Sequence, residues 1–207
     1  MKLLTSLTIA LFSFSSFAGT LVINNNQSDP RAKEVMYAYI DAFDKAHPEV
    51  TVVINDFDHE EYKVAIRNFL QADAPDIAVW FAGNRMKFFV DQGLLEDVSD
   101  VWESAGLNDS MAASKGSLTV DGKQYGVPYA YYQWGVYYRK DIFDELGLNE
   151  PKDFDEFKWV CAMLKKNGYT PITIGTKYLW TAAAWFDYMN MRINGYDFHM
   201  ELMAGNA

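Results

Sequence analysis

Residues 121–143 read DGKQYGVPYAYYQWGVYYRKDIF, and the rest of the chain is organised around them. The short runs 117–120 and 123–127 flank Asp121-Gly122, a dipeptide suited to the positive-φ turn that joins twisted strands, so a β-hairpin is predicted here. Pro128 has no amide proton for a ladder and favours an exit from the second strand. Seven aromatic side chains follow: Tyr129, Tyr131, Tyr132, Trp134, Tyr137, Tyr138 and Phe143, with the pliable Gly135 among them. Such a run, closed by Arg139-Lys140-Asp141, suits a segment that passes from one lobe to another beside a ligand. A buried aromatic strand is the competing reading and on general grounds the commoner one.

Composition narrows the partners. Half of the 207 residues are hydrophobic, enough for one large domain or two small ones. A formal net charge of −10 argues against nucleic acid or an anionic membrane as the main partner. Aromatic residues make up 16% of the chain and include six tryptophans, which brings aromatic-lined recognition into consideration. Cys161 is the sole cysteine, so no intramolecular disulfide is possible, and it falls on the apolar face of a predicted helix. His47, His59 and His199 are scattered without metal-site spacing, and no cofactor is expected.

At the N-terminus, Met1-Lys2, the apolar run 3–14 and Ser16-Phe17-Ala18 form a secretory signal peptide over residues 1–18, cleaved before Gly19. The apolar part is too short for a comfortable membrane span. No cysteine stands at the cleavage point, so a lipid anchor is not expected.

Upstream of the hairpin, strand and helix alternate. Leu21-Val22-Ile23 predicts a strand, followed by the polar loop Asn24-Asn25-Asn26-Gln27. Residues 31–47 carry Val35, Met36, Tyr39, Ile40 and Phe43 at helical spacing, stopped by Pro48. Residues 50–54 are a second strand, and 60–71 a helix through Ala65, Ile66, Phe69 and Leu70. The run Ile77-Ala78-Val79-Trp80 fits a parallel strand covered on both faces, and residues 84–92 a helix closed by Gly93. This β-α-β-α-β-α order predicts an open parallel sheet whose ligands sit beyond the strand C-terminal ends, at loops 24–27, 56–59 and 80–85.

Downstream the pattern restarts. Residues 136–138 predict a strand and 141–146 a short helix ending at Gly147. Asp153 and Glu156 predict a capping box for a helix through Phe157, Val160, Cys161 and Leu164, closed by Gly168. Residues 171–174 are a predicted strand, and 181–194 a helix capped at Thr181 and closed by Asn194-Gly195. The expected organisation is a first α/β lobe over 19–130 and the start of a second, incomplete one over 131–207.

The ordered segments APDIAVW (74–80), DQGLLEDVSD (91–100), DGKQYGVPYAYYQWGVYYRKDIFDELGL (121–148) and TKYLWTAAAWFDYMNMRINGYDFHMELM (176–203) carry a specific resemblance. From about residue 20 onward the chain resembles the family 1 extracellular solute-binding proteins, the carbohydrate receptors of bacterial ABC importers. That resemblance implies a two-lobed, type II-like periplasmic-binding-protein fold. It further implies a periplasmic monomer that closes about a sugar and hands it to the membrane permease. Members are usually about twice this length, so the chain is expected to be the N-terminal half of such a receptor.

Sugars present apolar C–H faces and many hydroxyls, so a site needs aromatic platforms beside Asp, Asn, Arg and Lys. In the first lobe the candidates are Trp80 as platform, with Asn84, Arg85, Asn26 and, more weakly, Asp58 as hydrogen-bonding groups. By resemblance, Tyr132 and Trp134 of the crossing segment match cleft-facing positions; alternate residues on a strand point opposite ways around any bend, which leaves open whether both or only one of them faces the cleft. In the second lobe Trp180 is expected in a loop at a helix N-terminus, with Lys177 and Asp187 as polar contacts, while Trp185 and Tyr188 read as core. A same-fold receptor for a polyamine or iron stands as the alternative. A secreted glycoside hydrolase is weaker, because the dense acidic groups Glu60-Glu61 and Asp153/Asp155/Glu156 sit at helix starts, where negative charge is stabilising anyway.

Overall fold

A computed structural model describes residues 19–131 and 133–206. These divide into two units between positions 132 and 133. The signal peptide predicted over 1–18 and the candidate Tyr132 lie outside the described residues.

The first unit begins with β1 (Gly19–Asn25), α1 (Pro30–Ala46), β2 (Val50–Asp56), α2 (His59–Ala72), β3 (Ile77–Ala78) and α3 (Asn84–Val90). Its strands form the expected open parallel sheet in the order β2-β1-β3, with Gly19 opposite Val50 through to Asn25 opposite Asp56. β1 runs two residues past the predicted Ile23. Its last carbonyls stay in use, Asn24 O accepting from Val79 N at 3.0 Å and Asn25 O from Phe57 N at 2.9 Å. β3 in turn is shorter than the apolar run 77–80. Among the described residues it has β1 as its one strand neighbour, and Ile77 is 45% exposed, so the reading of a strand covered on both faces does not hold at Ile77.

Local chemistry explains the helices. Asp29 caps α1 by accepting from the amides of Arg31 and Ala32, and Pro30 fills a first-turn position where no amide partner is needed. Only Met36 of its expected apolar face is buried, while Val35 and Tyr39 are exposed. α2 presents Tyr62, Ile66 and Leu70, spaced four apart, to a core shared with Phe89 of α3. Each such buried side chain contributes about 1.5–3 kcal/mol. α3 closes through Gly93, whose φ is +68°, as Leu94 N returns to Phe89 O at 3.0 Å.

Three short helices absent from the sequence reading follow: α4 (Ser99–Ser104), α5 (Leu107–Ser110) and α6 (Ala112–Lys115). They lead into β4 (Thr119–Val120) and β5 (Lys123–Gln124), the predicted hairpin in a shorter form. Asp121 and Gly122 both have positive φ, +49° and +80°, the requirement of a type I′ turn. The hairpin packs on a second core of Met86, Trp102, Leu118 and Val120. Trp102 is fully buried and donates its indole N–H to Gly126 O at 2.8 Å. Asp97 ties α4 to β5, accepting from the Ser99 hydroxyl at 2.5 Å and pairing with Lys123 at 2.9 Å.

The second unit contains α7 (Lys140–Leu146), α8 (Phe154–Lys166), α9 (Trp180–Asn194) and α10 (Tyr196–Ala204), of which α10 was not predicted. Phe143, Leu148, Val160 and Leu164 form its core. Asp153 caps α8 by accepting from Glu156 N at 2.8 Å, and Glu156 reaches back to Lys152 N rather than to the cap residue itself. The strands predicted at 136–138 and 171–174 are not formed. A strand is stable only as part of a ladder, and the described residues of this unit supply no partner strand. Ile172 and Ile174 are accordingly exposed.

Candidate functional site

The C-terminal ends of the parallel strands carry a dense polar network. Asn25, wholly buried, donates its amide to Asp56 Oδ1 at 2.7 Å and accepts from Gln27 N at 3.1 Å. Lys33 Nζ at 3.1 Å and the Tyr37 hydroxyl at 2.9 Å reach the other Asp56 oxygen from α1. Burial pulls the Asp56 carboxyl upward, but the hydrogen bonds from Asn25, Lys33 and Tyr37 outweigh it and hold the group below the ordinary carboxylate range. Asn55 bonds Asn24 Oδ1 at 2.9 Å, completing an amide ladder across β1 and β2. Gln27 bonds Asn26 and also the Tyr129 hydroxyl, so the loop after β1 is joined to the start of the aromatic segment.

This network redistributes the sequence candidates. Asn26 is buried, with its Oδ1 taken by Gln27 at 3.0 Å and its carbonyl 3.3 Å from His59 Nδ1, so its side chain serves the fold's own network. Asp58 is the N-cap of α2, accepting from Glu60 N at 2.9 Å and Glu61 N at 3.4 Å. A carboxylate at that place satisfies orphan amides and stabilises the helix start. Trp80 is half-buried against Tyr62, Phe81 and Phe89, with its indole N–H on Arg85 O at 3.2 Å. It therefore contributes as much to the core as to any surface. Asn84 and Arg85 open α3 and are exposed.

Phe81, one residue beyond the expected platform, was missed. It is half-buried three residues past the end of β3, with Arg85 Cζ 4.6 Å, Lys63 Nζ 5.8 Å and the His59 ring 5.7 Å from its centroid. It lies within the candidate loop 80–85, and the apolar run continues to it past Trp80, but it was not singled out as a contact. A separate groove of about 530 Å³ lies along α2 and the β1–β2 face, lined by Val22, Asn55, Phe57, Ala65 and Phe69 among others. None of the candidate binding residues lines it.

In the second unit, two candidates come together. The rings of Trp134 and Trp180 lie 6.1 Å apart at a tilt of 57°, and they are 64% and 43% exposed. Trp180 is the first residue of α9 rather than a loop residue. Leu179 before it takes the cap position at φ +63°, and the Thr181 hydroxyl, expected to cap, bonds Gly175 O instead. Lys177 stands 4.8 Å from the Tyr178 ring, and Asp187 is half-buried on α9. Trp185 is partly buried beside Phe157, centroids 6.4 Å apart, whereas Tyr188 is 47% exposed with Arg192 over its ring, so its core assignment does not hold. α9 is apolar on most sides, which blurs any reading of its inner face from periodicity. Among the described residues no three of His, Cys, Asp and Glu gather as a metal site would need.

A parallel sheet with amides, cations and aromatic rings gathered at its strand C-terminal ends defines an α/β binding protein. The chain belongs to the bacterial extracellular solute-binding protein family, which matches residues 28–207. It is 25% identical over 187 residues to the multiple sugar-binding protein of Streptococcus mutans, covering 81% of this chain and 43% of that one. It is 24% identical over 180 residues to an uncharacterized ABC transporter extracellular-binding protein of Pyrococcus horikoshii, covering 84% of this chain and 41% of the relative. The chain thus spans about two-fifths of these relatives' length.

Among solved structures it is similar to the bacterial solute receptor AcbH, described as having an exclusive preference for β-D-galactopyranose. The TM-score is 0.82 at 34% identity, over 90% of this chain and 47% of that one. A chitin oligosaccharide binding protein shares the fold with a TM-score of 0.80 at 24% identity, over 90% and 48%. The fold is the two-lobed solute-binding type, of which this chain covers a part. Among the described residues, no helix is long and apolar enough to cross a membrane.

Proposed function

We propose that this chain belongs to the substrate-binding receptor of an ABC importer, which captures a mono- or oligosaccharide and delivers it to the membrane permease without any catalytic step. On this reading residues 1–18 direct export to the periplasm and are cleaved after Ala18, and the receptor acts as a monomer. Membership of the family and the likeness to a galactopyranose receptor support it. The observation that carries it is the exposed Trp134–Trp180 pair. The flat apolar faces of two neighbouring indoles suit the C–H side of a pyranose ring. In the same unit, Lys177 and Asp187 supply hydroxyl partners.

The test is intrinsic tryptophan fluorescence of the mature protein, expressed from its full coding sequence and titrated with mono-, di- and trisaccharides. A saturable change with a sugar, abolished in Trp180→Ala and weakened in Trp134→Ala, is the expected result. Silence across the sugars with a response to spermidine or ferric ion would keep the fold and overturn the substrate class.

A further inference from the structure

A ribbon of cations and aromatic rings lies along the seam between α2 and α3, starting at the strand C-terminal ends. Its inner part is Phe81 with Arg85 at 4.6 Å, Lys63 at 5.8 Å and the His59 ring edge-on at 5.7 Å. One turn further along both helices, the Arg67 guanidinium lies 5.1 Å from the ring centroid of Phe88, which is 47% exposed. Lys63 and Arg67 are four apart on α2, and Arg85 and Phe88 three apart on α3, so the two parts continue one another along the seam.

Among the described residues two of the five arginines are ion-paired, whereas Arg67 and Arg85, like Arg192 over the Tyr188 ring, lie against aromatic rings. Carboxylates outnumber Lys and Arg by 28 to 18, so a surface guanidinium has abundant anions to meet. Arg31 pairs with Glu34 at 2.7 Å, and Arg139 pairs with Asp141. Arg67 and Arg85 form no ion pair among the described residues and lie on phenylalanine faces instead, while Glu60, 2.8 Å from Lys63, is the carboxylate joined to the ribbon. A guanidinium stacked on a ring keeps its in-plane N–H groups directed outward, a fork that matches a carboxylate. The ring it lies on keeps apolar surface exposed beside it, as at Phe88, which is 47% exposed. An anionic group and an apolar C–H face on one rigid ring is the chemistry of a uronic acid.

We propose that this ribbon is a subsite for an acidic saccharide, with sugar C–H groups against the exposed surface of Phe81 and Phe88 and carboxylates at Arg85 and Arg67. The inference rests on the sugar-receptor reading and narrows it to uronic acid oligomers. The two parts are offset by one helical turn, about 5.4 Å, which suits successive sugar units.

The experiment is calorimetric titration of the mature protein from its full coding sequence with galacturonic acid and its trimer, against galactose and a neutral galactotriose. The acidic trimer is expected to bind about tenfold or more tightly than the neutral one, since a charge-assisted fork exceeds a neutral hydrogen bond by that order. Its advantage should shrink between about 0.05 and 0.5 M salt, because these charges are exposed. Arg67→Gln should reduce the advantage for the trimer and leave the monosaccharide, held at Arg85, unaffected, and Arg67→Lys, which keeps the charge and loses the fork, should fall between. Equal or tighter binding of the neutral trimer, or an unchanged Arg67→Gln, overturns the subsite and leaves the sugar-receptor reading standing. Binding of no saccharide at all overturns that reading and the subsite with it. Arg67→Gln that binds the acidic trimer normally but loses stimulation of the permease would make the ribbon a protein-docking face instead.

Discussion

Replacing Trp102 by phenylalanine tests how the hairpin and the aromatic segment are held. The indole is fully buried among Met86, Leu118 and Val120, and its N–H meets Gly126 O at 2.8 Å. Phenylalanine retains most of the apolar contact but loses the donor, leaving a carbonyl in a poorly hydrated place at a cost of about 1–3 kcal/mol. The volume lost on the far side of the ring adds a cavity cost of about 1–2 kcal/mol. Together they predict a destabilisation of about 2–5 kcal/mol, a large share of a total stability of about 5–15 kcal/mol. Gly126 stands immediately before the Val127-Pro128 turn into the aromatic segment, so the same change should weaken ligand binding without touching ligand. Urea unfolding of the protein from its full coding sequence, with Phe88→Ala as an exposed control, reads the effect from the shift in midpoint at constant slope. A loss below about 1 kcal/mol with unchanged slope would refute the reasoning, since neither the hydrogen bond nor the packing could then matter as the geometry implies.

Three further outcomes are expected. Gly122→Ala forces an alanine into φ +80° in the hairpin turn and should cost about 1–2 kcal/mol by urea unfolding, whereas Gly135→Ala, with open space around it, should change little. Asp153→Ala removes the cap of α8 and should cost about 1 kcal/mol, with Asp153→Asn retaining most of the stability. The hydrogen bond from Ser99 and the pair with Lys123 hold the Asp97 carboxyl down to about 2. Because the folded value is depressed, its contribution is present above the ordinary value of about 3.9 and is lost as pH falls toward the folded one. The unfolding midpoint of the wild type should therefore fall more steeply than that of Asp97→Asn between those pH values, and parallel curves would show that Asp97 is not held as described.

Local signals in the sequence settled most of the elements of the first unit. The alternation of β-branched runs with helical periodicity specified β1, β2, α1 and α2, and Asp121-Gly122 specified a turn whose two positive φ values are seen. Gly93, Gly147 and Gly168 marked helix ends because the required backbone is one that other residues adopt at a cost. The ordered segments from 74 to 203 were enough to indicate the family, which matches residues 28–207.

Tertiary structure decided the rest, because it depends on contacts between residues far apart in the chain. Trp102 shows no periodic signal in its short helix, and its burial follows from the hairpin that folds over it. The runs 136–138 and 171–174 look like strands, yet strand formation requires a neighbour to complete the hydrogen bonds, and none of the described residues provides one. Asn26 and Asp58 have the chemistry of ligand contacts, but their nearest backbone and side-chain partners claim that chemistry first. The union of Trp134 with Trp180, 46 positions apart, and of Phe81 with Lys63 and Arg85 could not be read from spacing at all. Local preferences choose helix, strand and turn one stretch at a time, but a binding surface is made of side chains that only packing brings together.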